Sequence, residues 1–119
     1  MNYIDGFLAP VLTDKKAEYQ MHALKMAKWL KAHGALRITE CWGDDVPEGK
    51  LTSFTLSVQR EDNETTVFSW IEWPSKEVRD ATWQVMMEDP EMKKMMNEDM
   101  PFDGKRIVYG GFSVLVDEA

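Results

Sequence analysis

Along Val67-Phe68-Ser69-Trp70-Ile71-Glu72-Trp73, apolar side chains fall on both faces of an extended chain, and Pro74-Ser75 then marks the start of a helix. A strand with one face in water alternates apolar with polar residues, and this one does not. The stretch 106–116, which holds Ile107, Val108, Tyr109, Phe112, Val114, Leu115 and Val116, has the same two-sided character. The sheet built from these strands therefore needs cover front and back.

The rest of the chain supplies that sheet with two helices and two more strands. Residues 3–11 read as a first strand, with Gly6 as a bulge and Pro10 near its end. Thr13 or Asp14 is then placed to cap a helix over 14–33. Its residues Tyr19, Ala23, Met26, Ala27 and Leu30 recur at helical spacing, and Gly34 is suited to end it in a left-handed conformation. Residues 35–42 predict a second strand, followed by the turn-rich stretch 43–50. Residues 50–60 fit a strand through Phe54, Leu56 and Val58, and fit a short helix through Leu51, Phe54 and Val58 equally well. Ser75 reads as the cap of a second long helix whose core face is Val78, Ala81, Thr82 and Val85, leaving Trp83 and Met87 off it. Pro90 interrupts, and a short helix over 91–97 offers Met92, Met95 and Met96 as fillers of an irregular gap.

Two helices alternating with four strands is the split βαβ plan, an α+β ferredoxin-like fold with both helices on one face of an antiparallel sheet. Four strands about 4.8 Å apart and about 20 Å long expose roughly 400 Å² on the other face. That is as large an apolar patch as monomers usually tolerate. Pairing two such faces removes roughly 800 Å² from water, on the order of 20 kcal/mol gross, against an association cost on the order of 4–15 kcal/mol. The expected partner is thus a second copy, in a homodimer.

Composition narrows the class. At 119 residues, 44% apolar and with five Trp, the chain predicts a single globular domain over 1–119. No apolar run approaches the eighteen residues of a membrane span, so no membrane partner is expected. The N-terminus has neither a basic region nor a long apolar core, which points to a cytoplasmic location. A formal charge of −7 with dispersed lysines argues against nucleic acid as a partner. Cys41 is the only cysteine and reads as a small buried hydrophobe. His22 and His33, eleven positions apart on one helix, lie roughly 16 Å apart and do not share a metal ion. No metal and no cofactor is expected.

Chemistry falls to a few polar groups on strands. Asp5, Glu40 and Glu72 are carboxylates in strand positions, where burial is costly without a partner, and Arg37 and Arg106 are the candidate partners. One of the three, or Tyr109, is the candidate catalytic group. Trp42, Trp70 and Trp73, with Arg37, are the candidate ligand contacts between sheet and helices.

The runs Tyr3-Ile4-Asp5-Gly6-Phe7, Gly34 to Trp42, Val67 to Ala81, and Met100-Pro101-Phe102-Asp103-Gly104 on to Gly110-Gly111-Phe112 resemble the YbaA-like family of uncharacterised bacterial proteins. The resemblance spans nearly the whole chain. It implies a dimeric α+β barrel, in which two sheets close face to face with helices outside. That superfamily includes cofactor-free oxygenases, isomerases of small lactones and haem-handling proteins, so fold alone does not choose among them. The leading expectation is a homodimer that binds a small apolar or aromatic molecule between sheet and helices. The alternatives are a cofactor-free monooxygenase or isomerase acting on a small aromatic or lactone, and a structural or interaction dimer with no ligand.

Overall fold

The computed structural model of the chain describes residues 2–97 and 100–119. Four strands, β1 (Tyr3–Leu12), β2 (Arg37–Trp42), β3 (Glu64–Trp73) and β4 (Val108–Ser113), form one sheet in the order β2-β3-β1-β4, with every neighbouring pair antiparallel. Between β1 and β2 runs α1 (Lys16–Ala32), and between β3 and β4 run α3 (Lys76–Glu88) and α4 (Pro90–Asn97). Each crossover skips one strand. This is the ferredoxin-like split βαβ arrangement that the order of elements predicts.

Strand alternation sorts the side chains. Asp5, Phe7, Ala9 and Val11 of β1, Ile38, Glu40 and Trp42 of β2, and Val67, Ser69, Ile71 and Trp73 of β3 share the helix-covered face. Ile4 and Leu8, Phe68 and Trp70, and Val108 and Phe112 share the other. Ladder pairing runs through Gly6 without a break, so the expected bulge is absent. Gly6 and Gly110 instead face each other beneath the ring of Phe112, whose atoms would lie 3.6 and 3.5 Å from an added Cβ.

The helix boundaries follow local chemistry. Neither Thr13 nor Asp14 caps α1, which is entered through a 3-10 turn at Thr13–Lys15 with no side-chain cap. The Thr13 hydroxyl pairs with that of Thr65 at 2.7 Å, so the sheet takes the group expected at the cap. At the other end Gly34 has φ +120°, and the Ala35 N–H donates to the Leu30 carbonyl at 3.0 Å, closing the helix as expected. An added Cβ at Gly34 would also meet Val78 Cγ1 at 2.8 Å. In the open region 50–60 the chain forms the single turn α2 (Phe54–Ser57), capped by Ser53, whose Oγ accepts from Leu56 N–H at 2.9 Å.

In α3 the Ser75 cap forms as expected, accepting from Val78 N–H at 3.2 Å. The core face is rotated from the expected one: Val78, Arg79, Thr82, Trp83 and Met86 turn inward, while Ala81 and Val85 are exposed. The cause is electrostatic, because Arg79 and Trp83 both reach the buried Asp5. Asp89 accepts from the N–H groups of Glu91 and Met92 and starts α4 with Pro90 in its first position. Met92 and Met95 are buried as gap fillers, and Met96 is exposed.

β4 is shorter than the predicted 106–116. At one end Arg106 lies in a 3-10 turn and pairs with Glu64. At the other, Ser113 faces Tyr3, the first residue of β1, and the ladder ends there. Leu115 and Val116 are exposed beyond it.

Two apolar clusters fill the space between sheet and helices. One gathers Trp29, Leu30, Ile71, Trp73, Met86, Met92 and Met95; the other gathers Val11, Tyr19, Ala23 and Val67.

Candidate functional site

A cavity of about 170 Å³ lies at the seam of these clusters. Its sheet wall is Phe7, Ala9, Ile38, Glu40, Ser69, Trp70 and Ile71; α1 contributes Tyr19, His22, Ala23, Met26, Ala27 and Leu30; Trp83, Met86, Phe102 and Ile107 close it. The space exists because small residues face one another. Ala9 and Ser69 on the strands stand beneath Ala23 and Ala27 of the helix, where larger side chains would have filled the gap.

One carboxyl enters this apolar wall. Glu40 pairs with Ser69 across β2 and β3, and its Oε1 accepts a hydrogen bond from the Tyr19 hydroxyl at 2.6 Å. That length belongs to a charge-assisted bond. Burial pushes the Glu40 carboxyl above its usual range, while the hydroxyls of Tyr19 and Ser69 pull it partly back. The Tyr19 hydroxyl is pushed far above its ordinary range, by burial first and then by the Glu40 charge, so it stays a neutral donor. On its other side the pair borders a wider groove of about 500 Å³ that includes Lys16, Gln20, Leu24, Cys41 and Trp42. Glu40 is nonetheless an exposed residue, open to solvent along that groove, which moderates the desolvation. A carboxylate whose charged form is disfavoured inside an apolar wall is equipped to accept a hydrogen bond or a proton.

The other expected site residues are dispersed. Asp5 is 2% exposed and fully engaged: Trp73 Nε1 donates at 2.9 Å, Trp83 Nε1 at 3.1 Å, Arg79 Nε at 3.0 Å and Arg79 Nη2 at 2.8 Å. Its cationic partner is Arg79, not the expected Arg37 or Arg106. It stands behind the cavity and anchors Trp83, one of the cavity walls. Trp73 is fully buried, and its ring meets that of Trp83 edge-on at 6.1 Å. Trp83 itself therefore faces the core, contrary to expectation, whereas Met87 is exposed.

Trp70, Glu72 and Arg37 lie on the sheet face opposite the helices. There Trp70 packs on Phe68 with ring centres 5.4 Å apart, and its Nε1 is 3.4 Å from Glu72 Oε2. Tyr109 is on the edge strand and 75% exposed. Trp42 lines the groove rather than the cavity, with its ring 6.5 Å from that of Tyr19 and the Lys16 ammonium 5.5 Å above it. Cys41 is half-buried on the face away from the helices. Arg106 pairs with Glu64, Nη1 and Nη2 both at 2.7 Å.

Of the candidates, then, Glu40 and Trp70 line the cavity, and of the two only Glu40 lies on the helix-covered face by strand alternation. Tyr19, His22 and Ser69 join it there. The signal that finds them is parity: Ile38, Glu40 and Trp42 face inward together, opposite the Tyr19 stripe of α1. His22 sits 5.9 Å from the Phe102 ring. His33 stacks on Trp29 at 3.8 Å, with its Nδ1 2.7 Å from the Trp29 carbonyl oxygen. Among the described residues, no three His, Cys, Asp or Glu side chains are grouped to hold a metal ion, and no helix is long and apolar enough to cross a membrane.

The family described as "Protein of unknown function (DUF1428)" matches residues 2–104, which hold every cavity residue but Ile107. The chain belongs to this family. It is 58% identical over 118 residues to the uncharacterized protein YbaA of Escherichia coli strain K12, covering 99% of this chain and 100% of that protein. The same identity and coverage relate it to the YbaA proteins of Escherichia coli O157:H7 and Shigella flexneri. The resemblance seen in the sequence is thus a close relationship, and it carries no assigned activity with it. Whatever this DUF1428 chain does must be argued from its own geometry.

Proposed function

We propose that the protein is a homodimer whose subunits each bind a small apolar or aromatic molecule between the sheet and α1. The observation that carries the binding reading is the cavity itself, an apolar space with one hydrogen-bonded carboxyl in its wall, the usual composition of a small-molecule site. Filling it tests the reading. Titrating one-ring aromatics calorimetrically should give saturable binding that Ala27→Phe abolishes; silence from the native protein would leave a structural dimer without ligand.

Support for the dimer comes from the sheet face away from the long helices, which α2 meets at one end, where the Phe54 ring lies 5.9 Å from that of Phe68. Phe68 is 44% exposed, Val108 41% and Phe112 60%, a continuous apolar surface across β3, β1 and β4. Leu115 and Val116, beyond β4, are exposed as well. Sedimentation should show twice the 13.8 kDa chain mass, reverting to the monomer in Phe112→Glu. A native protein that sediments as a monomer at micromolar concentration refutes it.

The upward push on Glu40 favours a catalytic version of the same reading, a cofactor-free isomerase. Glu40 would take a proton from one carbon of a bound carbonyl compound, the C–H electron pair shifting toward the carbonyl, and return it at another carbon. No oxidant is needed. Deuterium uptake from solvent into a bound ketone, lost in Glu40→Gln, is its signature.

A further inference from the structure

The wall of the cavity says what kind of molecule fits it, given the binding reading above. We infer that the site selects a neutral one-ring molecule carrying a single hydroxyl donor, a phenol in chemical class, with that hydroxyl donating to Glu40.

Three observations converge on this class. The first is size. A dry cavity of about 150 Å³ accepts benzene, and this one, at about 170 Å³, holds one ring and a substituent. The second is the polarity of the lining. Apart from Tyr19, His22, Glu40 and Ser69 the walls are hydrocarbon, thioether and indole, and among the described residues no lysine or arginine lines the cavity, Lys16 belonging to the groove on the other side of Glu40. An anionic ligand would bring a second negative charge beside Glu40 with no guanidinium or ammonium to offset it.

The third is the direction of the hydrogen bonds. Glu40 Oε1 accepts from Tyr19 at 2.6 Å, and an ionised carboxylate accepts at about four lone-pair positions but donates none. Tyr19 and Ser69 do not exhaust that capacity. Glu40 is an exposed residue and solvent can meet part of that capacity, but a hydrocarbon in the cavity meets none of it, whereas a hydroxyl on the ring supplies a donor at the end of the cavity where Glu40 stands. Burial of the carboxyl adds to the demand, since each donor supplied from within the cavity stabilises its charged form. Saturated Asp5, with its five N–H···O contacts, offers no such opening.

Phenol, toluene and benzoate, three ligands of nearly one shape, separate the possibilities. Titrated into the full-length protein at neutral pH, phenol should bind at least tenfold more tightly than toluene, and benzoate should show no saturable binding. In Glu40→Gln, phenol should fall to within about threefold of toluene. Equal binding of phenol and toluene to the native protein, or benzoate binding as tightly as phenol, overturns the inference while leaving the binding reading intact. If none of the three binds and Ala27→Phe changes nothing, both fail together. Should Glu40→Gln not fold, as judged by circular dichroism, the ranking of the three ligands on the native protein decides alone.

Discussion

Replacing Asp5 with alanine should destabilise this protein more than almost any other single polar substitution. The carboxylate receives two indole N–H groups and a forked guanidinium, and its side chain is 4% exposed. Each indole left without an acceptor costs about 1–3 kcal/mol. Trp73 is fully buried and has no water to turn to, so its cost falls in the upper half of that range. Removing one partner of a buried ion pair costs about 3–5 kcal/mol. Here the arginine side chain is 22% exposed and already holds Asp80 at 2.9 Å, so it retains solvent and a second carboxylate, and the ion-pair contribution falls below that range. The two indoles together thus account for about 3–6 kcal/mol and the ion pair adds to them, so the loss is at least about 3 kcal/mol. A chain of this length has about 6–18 kcal/mol in total. Urea unfolding followed by tryptophan fluorescence reads the effect directly, because Trp73 and Trp83 both touch Asp5. The midpoint should fall with little change in slope, and Asp5→Leu combined with Arg79→Met should recover only the ion-pair share of the loss, since it removes both charges but leaves the two indole N–H groups without an acceptor. A loss under about 1 kcal/mol in Asp5→Ala would refute the reasoning and reopen Asp5 as a group held for chemistry rather than structure.

Two further outcomes follow from local features. The Arg106 guanidinium holds the Glu64 carboxyl below its usual range, so the unfolded chain binds the extra proton; this contribution is present above the ordinary glutamate pKa and lost as pH falls through the lowered one. Glu64→Gln should flatten the acid side of the stability profile, measured as urea midpoint against pH, and an unchanged slope there would exclude the pair as its source. Gly34→Ala should cost about 1–3 kcal/mol, because φ +120° disfavours any Cβ and Val78 occupies its place; a midpoint within error of native contradicts both reasons.

The sheet was readable from the chain because strand alternation is local. Two-sided Val67–Trp73, the Tyr19 stripe of α1 and the Ser75 cap each depend on residues a few positions apart. The rotated face of α3 was not readable, since Arg79 and Trp83 turn inward only to meet Asp5, more than seventy positions away. Partner choice failed for the same reason: composition offered Arg37 and Arg106 to the strand carboxylates, yet topology brings α3, not β2, over Asp5. The cavity was hidden more deeply. It arises from absences of bulk at Ala9, Ala23, Ala27 and Ser69, which look like ordinary small residues until three elements are superposed.

The two inward carboxylates on this sheet face have been given opposite surroundings. Asp5 receives a guanidinium and two indoles, donors that carry charge or a fixed direction, and its two oxygens are surrounded. Glu40 receives phenolic and alcoholic hydroxyls, which are neutral, can rotate, and leave acceptor capacity beside an empty apolar space. A structural carboxylate gains from saturation, because any donor that leaves is missed in full. A binding or reacting carboxylate gains from being incompletely met, because the ligand then completes the set and is held by the difference. On that physical ground the proposed ligand is to be sought at Glu40, with Asp5 behind it fixing the position of the Trp83 wall.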